Sequence, residues 1–246
     1  MRLSKSVYLI ASGRAGCFLT HSADCNAYAI DCGGTFLLID SGSGADSNRI
    51  FEVLEADGIR RDAIKALLLT HGHLDHAGGA CEIAEHLQIP IWASPATAAA
   101  IEAGDEEAIS LAEAKRAGVY NSSMRLRPCS VAQRMDGGNR IRVGETMVRP
   151  LATPGHSRDL LSWLIETPDG LMAFTGDTVF HEGRILISNT WDCDPAAYAR
   201  SLRELSKCPI EGLFPGHSIW SLHEGRDQVA KCLPYLDKLL LPPNLL

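Results

Sequence analysis

The stretch Ala66-Leu67-Leu68-Leu69-Thr70-His71-Gly72-His73-Leu74-Asp75-His76-Ala77-Gly78-Gly79 decides how the rest of the chain is read. Its first four residues are an apolar run of the length and character of a buried strand. Four residues of metal-ligand type, His71, His73, Asp75 and His76, then follow within six positions. In extended chain, residues i and i+2 project to the same side, so His71 and His73 can direct their imidazoles at one point. A bend after Leu74 would turn Asp75 and His76 toward a neighbouring point. On a helix the same residue types would need the i, i+4 spacing of the H-E-x-x-H motif instead.

Working outward, Val7 to Ile10, Ala27 to Ile30 and Thr35 to Ile39 read as strands, the last ending in Asp40-Ser41-Gly42-Ser43-Gly44. The spacing of Ile50, Val53 and Leu54 predicts a helix over Ser47 to Asp57, with Ser47 as N-cap and Gly58 as the stop. Beyond the histidines, Ala80 to Leu87 reads as a helix and Ile89 to Ala93 as a strand. Thr97 to Ala117 reads as one or two inserted helices. Further strands are predicted at Met147 to Ala152, Leu160 to Ile165 and Leu171 to Phe174, and helices at Pro195 to Ser206 and Gln228 to Leu240. Strand groups punctuated by helices in both halves predict an α/β fold in which two sheets pack face to face with helices outside, a four-layer αββα sandwich. With 246 residues, 46% of them hydrophobic, the chain can bury one large core. A single domain over 1–246, with a helical insertion at about 97–120, is the expectation.

Three more candidate ligands sit downstream, each at the end of an apolar run and each beside glycine. They are His156 in Thr153-Pro154-Gly155-His156, Asp177 in Thr175-Gly176-Asp177, and His217 in Phe214-Pro215-Gly216-His217. A side chain at the mouth of a buried strand, with glycine letting the backbone turn tightly, is how scaffolds hold ligands on rigid elements.

The run His71-Gly72-His73-Leu74-Asp75-His76 with the later His156, Asp177 and His217 resembles the full binuclear pattern of the metallo-β-lactamase superfamily. The resemblance extends from about Asn26 to His217 and includes Leu38-Ile39-Asp40-Ser41-Gly42. It implies the metallo-β-lactamase fold and two divalent metal ions, with zinc preferred over manganese or iron(II). It also implies that His71, His73 and His156 bind the first ion, that Asp75, His76 and His217 bind the second, and that Asp177 bridges them.

Such a site suits hydrolysis. Two divalent cations with Asp75, Asp177 and a bridging hydroxide keep a charge of about +1. That charge can stabilise an oxyanion when hydroxide attacks a carbonyl, and the ions lower the pKa of bound water to roughly 7. Asp75 and Asp177 are the catalytic candidates. The run Gly176-Asp177-Thr178-Val179-Phe180 is similar to glyoxalase-II-like thioesterases, and the His-x-His-x-Asp-His-Ala-Gly-Gly stretch to quorum-signal lactonases. Where the lactonases carry a tyrosine three residues after the bridging aspartate, this chain has Phe180. A β-lactamase proper is disfavoured, since those enzymes lack the bridging aspartate. The expected substrate is a small ester, thioester or lactone. The alternative is a mononuclear iron persulfide dioxygenase of the same fold, using His71, His156 and Asp177. A metal-stabilised module without catalysis is the third reading.

Asp40 has two readings: an acceptor for a ligand imidazole or for the His71 loop backbone, or a turn-forming residue before Ser-Gly. Thr70 and Thr153 read first as ordinary strand-end threonines. His21, His86 and His223 read as ordinary surface or core histidines. His181, four residues after Asp177, reads first the same way, with a place in the substrate pocket as its functional alternative. Phe180, Trp191 and Trp220 read as plain aromatics or as walls of an apolar pocket. Gly78 and Gly79 read as packing glycines.

A net charge of -7 gives no basic field for nucleic acid, and no segment reaches the roughly 18 to 20 apolar residues of a membrane span. Eight cysteines without a C-x-x-C pair read as reduced thiols. The expected partners are therefore a small-molecule substrate, with no nucleic acid and no membrane, in the cytoplasm. Self-association into a homo-oligomer is left open.

Overall fold

In the computed structural model, which describes residues 1–245, the apolar runs of the first half become strands. In chain order the elements are β1 (Val7–Ala11), β2 (Ala27–Asp31), β3 (Phe36–Ile39), α1 (Ser47–Ala56), β4 (Ile64–Leu68), α2 (Leu74–Ala77), α3 (Ala80–Leu87), β5 (Ile91–Ala93), α4 (Pro95–Ala103), α5 (Leu111–Arg116) and β6 (Gln133–Arg134). They make one mixed sheet in the order β1-β2-β3-β4-β5-β6. β1, β2 and β3 pair antiparallel, whereas β3, β4, β5 and β6 run parallel. Parallel neighbours need helical crossovers, which α1 supplies between β3 and β4 and α3 between β4 and β5.

The second half continues with β7 (Ile141–Val143), β8 (Thr146–Ala152), β9 (Leu161–Thr167), β10 (Gly170–Gly176), α6 (Pro195–Leu205), β11 (Ile210–Pro215), α7 (Gly225–Ala230) and α8 (Leu233–Leu236). Its sheet has the order β11-β10-β9-β8-β7. β7 to β10 form an antiparallel meander, and β11 joins β10 in parallel. The two halves are compact units, Met1–Met135 and Asp136 to the chain's end. Each has its own core. Ile50, Leu67, Leu69, Ile83 and Ile101 belong to the first, and Leu164, Ala173, Tyr198, Leu202 and Leu213 to the second. Among the described residues no helix is long and apolar enough to cross a membrane.

Side-chain caps fix the starts of two helices. Asp194 caps α6 by accepting from the backbone N–H groups of Ala196 (2.9 Å) and Ala197 (3.0 Å), with Pro195 in the first turn. Ser94 does the same for α4, which stops at Gly104 in left-handed conformation. Two helices differ from expectation. Ser47 is the first helical residue of α1 rather than its cap, its small side chain buried beside Gly79. The stretch Gln228 to Leu240 is not one helix: Pro234 has no N–H to give Ala230, so the chain splits into α7 and α8. The insertion at about 97–120 contains helix α4 in large part and all of α5.

The eight cysteines are all free thiols, as the sequence reading held. Cys17 is exposed, while burial pushes the thiols of Cys25 and Cys129 up to about 12 and that of Cys232 up to about 11. Because the thiolate is the reactive form, Cys25 is ionised only on the order of once in ten thousand molecules at about pH 8. A chromogenic disulfide reagent at that pH is expected to modify Cys17 within minutes and to reach Cys25, Cys129 and Cys232 only after denaturant is added. Fast labelling of Cys25 in the folded protein would contradict this burial.

Candidate metal centre

In the first unit, β3 and β4 run parallel with Ile39 beside Leu68, so the residues that follow them emerge at the same sheet edge. Asp40 follows β3 and Thr70-His71 follows β4. Asp40, almost wholly buried, accepts from the backbone N–H of Thr70 (2.8 Å), from the Thr70 hydroxyl (2.9 Å) and from His76 Nδ1 (2.8 Å). The Thr70 hydroxyl spends its one proton on Asp40 and so accepts from His71 Nδ1 at 3.0 Å. This chain of bonds assigns the Nδ1–H tautomer to His71 and His76 and leaves Nε2 as the nitrogen with a lone pair, the form that binds a metal. Asp40 is thus an anchor for the ligand loop as well as a turn residue, with φ of +60°.

The chain bends one residue earlier than the sequence reading placed it. His73 is extended, and Leu74 begins α2, which carries Asp75 and His76 on one helical turn. The ring centroid of His71 lies 4.6 Å from that of His73 and 4.1 Å from that of His76. Gly78 and Gly79 follow because the Ser41-Gly42-Ser43 segment crosses there. A Cβ at Gly78 would lie 2.2 Å from the Ser43 carbonyl oxygen, and one at Gly79 would lie 2.3 Å from that of Ser41. Both are packing glycines, as expected.

In the second unit, β8, β10 and β11 all point the same way, since β9 runs antiparallel to β8 and β10 and β11 runs parallel to β10. Their carboxyl ends therefore share one edge, and His156, Asp177 and His217 follow those ends. His156 donates from Nδ1 to the Leu186 carbonyl at 2.9 Å, which again leaves Nε2 for a ligand. That Nε2 is 3.5 Å from Asp177 Oδ2, and His217 Nε2 is 3.3 Å from the same oxygen. In the first unit, His76 Nε2 is 3.6 Å from Asp75 Oδ2.

These spacings test whether a metal fits. Two ligand atoms sharing a tetrahedral ion with bonds of about 2.0 to 2.1 Å are separated by about 3.4 Å. The three pairs match that separation, and two of them converge on one oxygen, Asp177 Oδ2. Histidine and aspartate groups so arranged are able to hold divalent ions.

Comparison with known proteins accords with the geometry. The sequence profile of the metallo-β-lactamase superfamily matches residues 23–217. The chain belongs to this superfamily. Among curated relatives, an atrochrysone carboxyl ACP thioesterase of Aspergillus fumigatus is 28% identical over 193 residues, covering 78% of this chain and 50% of its own length. A hydroxyacylglutathione hydrolase of Hahella chejuensis is 24% identical over 146 residues, covering 59% and 44%. The chain spans about half the length of the curated relatives it matches. Among solved structures, a metallo-β-lactamase of Cronobacter sakazakii superposes with a TM-score of 0.68 at 18% identity, over 97% of this chain and 84% of that one. The fold is the metallo-β-lactamase fold, as expected.

Two tyrosines that the sequence reading missed bond to candidate ligands. Tyr120, at the end of the helical insertion, donates to Asp75 Oδ1 at 2.9 Å. Tyr198, on α6, donates to the Asp177 backbone carbonyl at 2.5 Å. Neither stands out from ordinary amphipathic patterning in the sequence. Thr153 is also more than a strand-end residue, bonding Ser162 (2.8 Å) and Thr178 (2.9 Å) through its hydroxyl.

Other candidates are bland. Phe180 is fully buried against His217, with ring centroids 6.3 Å apart, so it does not wall an open pocket. Trp191 is half exposed under the Arg158 guanidinium. His86 stacks on Phe51, His223 pairs with Glu211, and His181 lies 3.8 Å from Glu182. An open hollow of about 760 Å³ lined by Arg60, Arg61, Lys65 and Leu87 sits at the start of β4, the opposite end from His71.

The Asp40 network has a measurable cost of removal. Asp40→Ala leaves the Thr70 N–H and the His76 Nδ1–H without their acceptor, and is expected to destabilise the metal-free protein by about 3 kcal/mol in urea unfolding. Asp40→Asn tolerates the same φ and keeps one acceptor oxygen, so a loss of about half that size is expected. A loss below about 0.5 kcal/mol for the alanine variant would mean that the network does not hold the loop.

Proposed function

We propose that His71, His73, Asp75, His76, His156, Asp177 and His217 form one binuclear metal centre, and that the protein is a hydrolase of a small thioester, ester or lactone. In this reading His71, His73 and His156 serve one ion, Asp75, His76 and His217 the other, and Asp177 is shared. The observation that carries it is the position of Asp177 Oδ2, 3.5 Å from His156 Nε2 and 3.3 Å from His217 Nε2. One oxygen flanked by two imidazole nitrogens at ligand-to-ligand spacing is what a shared carboxylate requires.

When bound, divalent ions supply Lewis acidity and make a strong nucleophile available from water near neutral pH. The chain's own groups do the rest. Asp40, Thr70 and the Leu186 carbonyl hold His71, His76 and His156 in the ligating tautomer. Asp75, with Oδ1 tied to Tyr120 and Oδ2 3.6 Å from His76 Nε2, would in this reading take a proton from an attacking water. No serine or cysteine nucleophile is needed. Relatives named as thioesterases favour a thioester among the three bond types. Zinc is the preferred ion for imidazole and carboxylate donors in this geometry. Eight free thiols fit a reducing compartment such as the cytoplasm.

Elemental analysis of the purified protein, followed by a panel of thioesters, esters, lactones and β-lactams, tests the reading. About two zinc or manganese ions per chain, with turnover on an acyl substrate and no oxygen uptake, are expected. A single iron with oxygen uptake dependent on a persulfide would replace the reading with an oxidation. Asp177→Ala is expected to lower metal content and to cut turnover by at least about a hundredfold while leaving the circular dichroism spectrum unchanged.

A further inference from the structure

Helix α6 meets the loops of the second unit that carry His156 and Asp177. The Asp194 backbone N–H, at its N-cap, donates to the Gly155 carbonyl at 2.8 Å, and the Ser201 hydroxyl donates to the Pro154 carbonyl at 2.6 Å. Between them, Tyr198 packs against Gly155, where an added Cβ would come within 2.5 to 2.7 Å of the Cγ, Cα and Cβ of Tyr198. Its hydroxyl is the meeting point of two further segments. It donates its proton to the Asp177 carbonyl at 2.5 Å and accepts the Leu186 N–H at 3.2 Å. The Leu186 carbonyl, in turn, receives His156 Nδ1–H.

We propose that Tyr198 is a positioning residue whose hydroxyl sets the distance and orientation between Asp177 and His156, so that both reach the same metal ion. The proposal rests on the binuclear reading above. Three features support it. The direction of each bond is dictated, since a carbonyl must accept and an N–H must donate, and the phenol has one proton for the first and a lone pair for the second. The side chain is fully buried, so both bonds of its hydroxyl are made away from bulk water. Finally, a residue serving only to fill the core would need its ring and not its oxygen. Here the oxygen bonds both segments at once, the Asp177 carbonyl at 2.5 Å and the Leu186 N–H at 3.2 Å.

Tyr198→Phe separates the two roles, because it keeps the ring and removes the oxygen. The measurements are zinc stoichiometry by native mass spectrometry, zinc affinity by chelator competition, and the thermal midpoint of the metal-free protein, each for wild type and variant. The expected result is a folded variant that binds zinc at least about tenfold more weakly and holds fewer ions than wild type at limiting zinc. Zinc affinity within twofold of wild type would overturn the proposal, whatever happens to the midpoint, because the hydroxyl would then be serving only the core. Should Tyr198→Phe fail to fold, replacement by 4-fluorophenylalanine, which keeps nearly the full size of tyrosine and cannot donate, is read by the same two criteria. If wild type itself takes up no zinc, the binuclear reading falls and this proposal falls with it.

Discussion

An imidazole offers a metal one nitrogen, and the other must be held by something or the ring turns away. That constraint organises this protein. Three of the proposed ligands give Nδ1 to a fixed acceptor: Thr70 for His71, Asp40 for His76 and the Leu186 carbonyl for His156. The acceptors come from different parts of the chain, so the rings are oriented only once strands, turns and crossovers have formed. Folding and preorganisation of the site are therefore the same event in this chain.

Burying Asp40 without water would cost several kcal/mol if its charge were left alone. Thr70 and His76 surround it with donors, and its position in left-handed backbone directly after β3 aims the carboxylate at the end of β4. The glycines belong to the same argument. Gly78 and Gly79 let the Ser41–Ser43 backbone cross at van der Waals distance, and Gly155 lets Tyr198 close up on the His156 loop. In each case a methyl group would separate two backbones or a backbone and a ring that the site needs in contact.

Much of this was legible beforehand because it is local. Alternation and apolar runs placed β1, β2, β3, β8, β9 and β10, and the 3.6-residue spacing of α1, α3 and α6 placed those helices close to their observed bounds. The strands β6 and β7 escaped notice because two or three residues, Gln133-Arg134 and Ile141–Val143, are too short to show a period and are strands only by virtue of their neighbours. The long helix expected over Gln228 to Leu240 failed on a single residue, Pro234, whose missing N–H outweighs the helical character around it.

The ligand candidates were decided by the sequence alone, because metal binding demands particular atom types, and histidine and aspartate beside glycine at strand ends announce themselves by kind. The supporting residues were decided only in three dimensions. Asp40 and His76 are 36 positions apart, Tyr120 and Asp75 are 45 apart, and Tyr198 and Asp177 are 21 apart. A hydroxyl on an amphipathic helix looks the same in sequence whether it meets water or a buried carbonyl. What distinguishes them is the direction of a neighbouring strand, and strand direction is a property of the folded sheet.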